Sequence, residues 1–294
     1  MSSARIPVVF DCDNTFGLPG HDIDDGLTLF YLLGRPDIDL LGVTLVHGNS
    51  SLANVIETTE RLLGETGLQD RVKTFSGDAA ARFLAESADT HPGTLRVLAT
   101  GAQSNLAAAN AHDPQFYNKV AEIFLMGGVT GPLSLHGVDV IELNFSADAS
   151  AALNVLTSAA PITLLNAHTT AEAVFGAEDI ARLEATDTPL ARYLSPHVTA
   201  WANRCNQKFG VYGFCNWDMA AAIAISHPEL FVQQTVTITP TRQTLQTGDI
   251  GLSDTGKSIQ MPSGLRDLAQ FNSVIFDAWA TCESGLSFPN KSTR

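Results

Sequence analysis

The stretch IPVVFDCDNTFGLPGHDIDDGL, residues 6–27, decides how the rest of the chain is read. Ile6 to Phe10 is an apolar, β-branched run, the composition of a strand buried on both faces. Asp11, Asp13, Asp22, Asp24 and Asp25 follow, and Gly26 to Leu33 reads as a short helix. A buried strand that ends in polar residues and feeds a helix is the opening of a βαβ unit.

The same alternation continues outward. Leu40 to Val46 reads as a second strand. Ser51 to Leu63 reads as a helix with Leu52, Val55, Ile56 and Leu62 on its apolar side. Strands are expected at Leu95–Ala99, Ile123–Met126 and Ile162–Leu165, with helices at Gln103–Ala111 and Ala147–Leu156 between them. Ala177–Leu183, Pro189–Asn206 and Asp218–Ile225 read as helices and Thr235–Thr239 as a strand. Residues 240–264 are polar and Gly-rich, which fits irregular chain or short antiparallel strands. No repeat, low-complexity tract or linker interrupts the pattern. The expected fold is α/β: a mostly parallel central sheet with flanking helices, residues 1–294 forming one domain.

Composition narrows the function. The 294 residues are 45% hydrophobic and 16% charged, which excludes a disordered chain. Lys and Arg number 17 against 31 Asp and Glu, a net charge of −14. Such a surface is poorly suited to nucleic-acid phosphates or an anionic membrane, and leaves small neutral ligands open. Cys12, Cys205, Cys215 and Cys282 form no paired metal motif, and their scatter suits reduced thiols in a cytoplasm. No secretory leader is read at the N-terminus and no apolar run is long enough to span a bilayer. The expectation is a cytoplasmic protein.

In open parallel sheets ligands bind beyond the C-terminal strand ends. Asp11 and Asp13, Asn49, Thr100 to Asn105, and Gly127-Gly128 all follow strand runs, so one pocket built from several loops is expected. Five nearby aspartates repel one another, and a divalent cation on hard oxygen ligands would compensate them. The plainer alternative is an exposed acidic turn with Asp24 capping a helix. That accounts for one or two of these aspartates, not five.

Two families end their first strand in Asp-x-Asp. VVFDCDNT resembles the first motif of the haloacid dehalogenase superfamily. That resemblance implies a Mg²⁺-dependent phosphatase with Asp11 as nucleophile, Asp13 as acid/base and Asp78 as an acidic partner. The longer resemblance is to the inosine–uridine-preferring nucleoside hydrolase family. It rests on Asp11-Cys12-Asp13 with Asp24-Asp25-Gly26, VTLVHGN (43–49), ATGAQSN (99–105), LMGG (125–128), IELNFSADASAA (141–152) and WDMAAAIAISHPELF (217–231).

That resemblance implies an open α/β fold, a homodimer or homotetramer, and hydrolysis of ribonucleosides to ribose and free base, in nucleoside salvage and purine metabolism. It implies one Ca²⁺ held by Asp13, Asp25, Asp218 and the Ser104 backbone carbonyl, with Asp13 as general base toward a water on the ion. It assigns Asp24 and Asn49 to the ribose 2′-hydroxyl, Asn144 to the 3′-hydroxyl and Glu142 to the 5′-hydroxyl. Trp217 precedes the late Asp, as in the purine-preferring branch, where it stacks on the base; another branch has His there. Phe209, Tyr212 and Phe214 could add aromatic walls.

The match departs at three places. NTFGLPGH lengthens the first loop, with Gly17 and Gly20 available for unusual backbone angles. His136 falls where an Asn often meets the 5′-hydroxyl, and His168 aligns with an Asp. These departures leave open a binding protein that keeps the cation site without turnover.

Overall fold

The computed structural model describes residues 4–288. Twelve strands run in chain order: β1 (Ile6–Cys12), β2 (Ile38–Leu45), β3 (Thr74–Ser76), β4 (Arg96–Ala99), β5 (Glu122–Met126), β6 (Leu133–Leu135), β7 (Val138–Val140), β8 (Ile162–Leu165), β9 (Val174–Gly176), β10 (Gly213–Cys215), β11 (Thr235–Ile238) and β12 (Lys257–Gln260). The helices are α1 (Asp24–Gly34), α2 (Leu52–Thr66), α3 (Asp78–Thr90), α4 (Ser104–His112), α5 (Phe116–Lys119), α6 (Asn144–Ala147), α7 (Ala149–Leu156), α8 (Ala167–Thr170), α9 (Ala177–Ala185), α10 (Pro189–Phe209), α11 (Trp217–Ser226), α12 (Arg242–Leu245) and α13 (Leu268–Glu283).

Eight strands form one sheet in the order β11-β12-β8-β5-β4-β1-β2-β3. Neighbours pair in parallel except β11, which runs antiparallel to β12 at the edge. The chain therefore starts in the middle of the sheet, builds outward to β3, then returns to the other side of β1 at β4. That reversal leaves a crevice beyond the ends of β1 and β4. Asp11 lies in register with Thr44 of β2 and Ala99 of β4, so the residues after it emerge at this crevice.

Strand alternation sorts side chains between two cores. Val8, Phe10 and Cys12 point into one, with α1, α2, α10, α11 and α13. Val9 points into the other, with α3, α4, α5 and α7. Both cores are apolar, which is why the strand runs read as continuous hydrophobic stretches. No described helix is long and apolar enough to cross a membrane.

The expected elements appear, with ends displaced by a few residues, and the differences have local causes. The helix expected over Ala147–Leu156 is split: Asp148 leaves helical geometry and its carboxylate accepts from the Ala151 N–H at 3.0 Å, starting α7. β3, α3, α13 and the small β6–β7 and β9–β10 ribbons lie outside the expected pattern. The ribbons are three residues per strand, too short for a periodic signal. Residues 240–264 contain one strand, β12, which pairs antiparallel with β11 and touches β8.

Candidate active site

A cavity of about 540 Å³ opens beyond the strand ends, within the range of small-molecule sites. Asp22, Asp24 and Asp218 line its acidic floor, and Asp13 and Asp25 lie buried beside them. Asp13, Asp24, Asp25 and Asp218 are 0–4% exposed. Asp13 follows β1, Asp24 and Asp25 begin α1, and Asp218 lies in the first turn of α11. Asp24 is no N-cap; Ile23 holds that position, and the Asp24 carboxylate instead accepts the Asp218 N–H at 3.1 Å. The acidic residues are thus internal, unlike an exposed acidic turn.

Asp13 is the most tightly held. Its two oxygens accept the backbone N–H and the side-chain amide of Asn49, the latter at 3.2 Å. A Cβ built on Gly48 would lie 2.0 Å from Asp13 Oδ2, and one on Gly101 3.1 Å from Asp13 Cβ. Two glycines thus leave the space that this carboxylate fills. Asp25 accepts the Thr100 hydroxyl at 2.7 Å.

No Lys, Arg or His forms an ion pair with these four carboxyls among the described residues. Burial raises the pKa of each, and repulsion from neighbouring carboxylates adds to it for Asp13, Asp25 and Asp218; Asp13 is pushed to about 6. Asp13 lies beside Asp25, and Asp24 beside Asp218, so a proton shared within each pair offsets their repulsion. Among the described residues no three His, Cys, Asp or Glu side chains stand ready as an ion cage. Hard oxygen donors, absent counter-charge and protons held between carboxyls nevertheless fit a divalent cation that would displace those protons.

The side walls come from other loops. Asn144 donates to the Met126 carbonyl at 3.0 Å, which leaves its Oδ1 as an acceptor. Glu142 lines the cavity, yet its carboxylate already accepts the N–H groups of Gly128, Phe145 and Ser146. It therefore also fixes the Gly127-Gly128 turn and the start of α6. Trp217 is half-buried: it packs against the core and also lines the cavity. Phe209 and Phe214 also line it. His136 lines it from the tip of the β6–β7 ribbon, with a left-handed φ of 51°.

Ser104 begins α4, at the end of the loop that follows β4. Its hydroxyl donates to Asp148 at 2.7 Å, and the residue of that turn touching the carboxyls is Thr100. His168 does not line the cavity, and its Nε2 is buried without a partner. Asp11 is fully buried, accepts from Thr44 and Asn105 at 2.8 Å each, and does not line the cavity. The phosphatase reading needs Asp11 accessible as a nucleophile, and this placement overturns it. Asp78 is an exposed partner of Arg82 and His112.

Sequence reasoning overlooked Trp201, Arg204 and Lys208, which line the cavity from α10. With Cys205 they fall at helical spacings of three, four and seven from Trp201, and that periodicity was the available signal. His21 and Asp22 also reach the cavity, from the lengthened first loop. Gly17 and Gly20 in that loop have φ of 78° and 82°.

The family model for the inosine-uridine preferring nucleoside hydrolase matches residues 8–81 and 57–271. Uridine nucleosidase 1 of Arabidopsis thaliana is 26% identical over 245 residues, 71% of this chain and 72% of that protein. The pyrimidine-specific ribonucleoside hydrolase RihA of Citrobacter koseri is 25% identical over 261 residues, 77% and 81% of the two chains. Among solved structures, the plant nucleoside hydrolase PpNRh1 superposes with a TM-score of 0.81 at 19% identity, covering 93% of this chain and 98% of that one. A purine-preferring ribonucleoside hydrolase from Gardnerella vaginalis gives 0.79 at 19% identity, covering 95% and 99%. The superpositions speak for the shared fold, and the family match supplies the rest: this chain belongs to the inosine–uridine preferring nucleoside hydrolases, enzymes that hydrolyse the N-glycosyl bond of ribonucleosides.

Proposed function

We propose that the protein is a Ca²⁺-dependent ribonucleoside hydrolase that favours purine nucleosides. The observation that carries this reading is the buried cluster of Asp13, Asp24, Asp25 and Asp218, of which Asp24 and Asp218 line the cavity together with Asn49 and Asn144. Asp13, Asp25 and Asp218 would hold the ion. The Ser104 backbone carbonyl would add a further oxygen ligand. When bound, the cation supplies counter-charge, a template for oxygen ligands and a lowered pKa for adjacent water.

The chain's own groups divide the remaining work. Asn49 spends its N–H groups on Asp13, so its Oδ1 remains for the ribose 2′-hydroxyl, with Asp24. Asn144 Oδ1 accepts from the 3′-hydroxyl, and Glu142 and His136 stand at the 5′ end. Asp13, held by Asn49, takes a proton from the attacking water as its oxygen bonds to C1′. Contacts to the ribose strengthen as the ring gains oxocarbenium character, so they act on the transition state.

The purine preference rests on Trp217, with Phe209 and Phe214 as further apolar walls against a flat base. The test is reducing-sugar release from purine and pyrimidine ribonucleosides, with Ca²⁺ and with chelator. Ribose formed only with the ion, fastest from purines and lost in Asp13→Ala, is the expected result. Faster release from uridine or cytidine would overturn the preference, and no ribose from any nucleoside would overturn the reading itself.

A further inference from the structure

We propose that His21, delivered by the lengthened first loop, is the group that protonates the leaving base. The inference rests on the hydrolase reading above and adds a proton donor to it. When the C1′–N bond breaks, its electron pair passes to the base. A purine anion leaves poorly, so a donor at a ring nitrogen lowers the barrier. Trp217, on the base side of the cavity, cannot supply that proton, because an indole N–H is a hydrogen-bond donor and not an acid.

Two histidines line the cavity among the described residues, His21 and His136. His136 sits at the ribbon tip, on the same wall as Glu142, where the ribose 5′ end is placed. His21 lies between Asn49 and α10. Its Nδ1 is 2.9 Å from the Asn49 carbonyl oxygen, at the ribose end. Its neighbour Gly20 packs beside the Arg204 guanidinium of α10, at the base end; a Cβ on Gly20 would lie 3.5 Å from it. A carbonyl only accepts, so Nδ1 carries a proton there, and Nε2 is the nitrogen left to serve the substrate. Asp22, Asp24, Arg204 and Lys208 are the charged groups that share this part of the cavity.

The loop is built to hold that placement. Thr15 donates to the Asp22 carbonyl at 2.8 Å, Asn14 to Thr59 at 3.1 Å and Arg61 to the Phe16 carbonyl at 3.0 Å. Phe16 is buried against Tyr193 and His197, with ring centroids 5.9 and 4.7 Å away. Asn49 then links donor and base: its carbonyl meets His21 while its two N–H groups hold Asp13.

The step balances without an outside reagent. The proton on Nε2 of the His21 imidazolium passes to a ring nitrogen as the C1′–N bond breaks. Water oxygen bonds to C1′ and its proton goes to Asp13. Solvent then returns a proton to His21 and removes one from Asp13.

The test uses the full chain with Ca²⁺ and two substrate types. Inosine needs a protonated leaving group, whereas p-nitrophenyl riboside releases an anion that is already stable. In His21→Gln, which keeps a hydrogen-bonding side chain without the acid, kcat for inosine should fall by roughly 10²–10⁴-fold. Turnover of p-nitrophenyl riboside should change by less than about threefold, which also reports an intact fold and ribose site. His21→Ala should show the same split, and His136→Gln should not. Unchanged inosine turnover, or a parallel loss on both substrates, would overturn the assignment of His21. If the wild-type protein released ribose from neither substrate, the hydrolase reading itself would fall, and His21 with it.

Discussion

The two ends of the cavity are built on opposite principles. At the end proposed for the ribose the working groups are short side chains after β1, β2 and β4 and in the first turns of α1 and α11, and nearly every one is buried and bonded: Asp13 to Asn49, Asp25 to Thr100, Asp24 to the Asp218 N–H. At the end proposed for the base, beside Trp217 and Phe214, one wall is a face of α10, where Arg204 and Lys208 are exposed long side chains. Neither makes an ion pair among the described residues, and Lys208 rests 4.9 Å over the Phe209 ring. A charge-bearing reaction centre needs groups that do not reorganise during the step. A base wall of exposed side chains can be altered without disturbing that centre.

If this contrast is right, small changes at the rigid end are the most damaging. Asp13→Asn keeps size and most hydrogen bonding but removes the base and an ion ligand. Ribose release should fall by roughly 10³-fold or more, and Ca²⁺ affinity measured by calorimetry should fall with it. Activity within about tenfold of wild type would break the comparison outright. Gly48→Ala tests geometry with the chemistry left intact. The added methyl would meet Asp13 Oδ2 at 2.0 Å, so the carboxylate must shift. A displacement near 1 Å at a reacting group costs on the order of 10²-fold, and kcat should fall by about that much while the circular dichroism spectrum is unchanged.

The same contrast explains what the sequence disclosed. The central strands were legible because both faces of the sheet are apolar, giving runs such as Val8 to Phe10 and Ile123 to Met126. The acidic floor was legible because its members follow those runs within a few positions. The Ser104 side chain turns toward Asp148 while that of Thr100 turns toward Asp25, a difference in turn register that one-dimensional spacing does not show. Trp201, Arg204 and Lys208 were missed because a cavity wall and a solvent face have the same periodicity on an amphipathic helix. His21 was visible but without weight, since its placement depends on Phe16 burying itself against α10, a contact between residues far apart in the chain.

A smaller effect separates the ends by pH. In the ion-free protein the buried carboxyls hold their protons to higher pH than in the unfolded chain, Asp13 to about 6 and Asp11 to about 7. Between the ordinary carboxylate range and about pH 7 the folded state thus binds more protons than the unfolded one, so stability falls as pH rises. Ca²⁺ replaces the protons of the floor carboxyls and favours their charged forms. With chelator, Tm should therefore be higher near pH 5.5 than near pH 8, by about 5 °C, and Ca²⁺ should close or reverse that gap. Scanning calorimetry giving the same pH slope with and without the ion would show that the floor is not where protons and ion compete.

The base end should yield the smallest effects, and they should fall on selectivity. Trp217→Leu keeps an apolar wall but removes the stacking face; KM for inosine should rise by about tenfold with kcat little changed. Lys208→Gln should do less. Its ammonium is exposed, so its field at the substrate is screened within about 10 Å at ordinary ionic strength. A change in kcat/KM of about twofold, shrinking further with added salt, is expected. A larger loss that persists in salt would mean that Lys208 makes a desolvated contact with the bound base, and the base end would then be as fixed as the ribose end once substrate is in place.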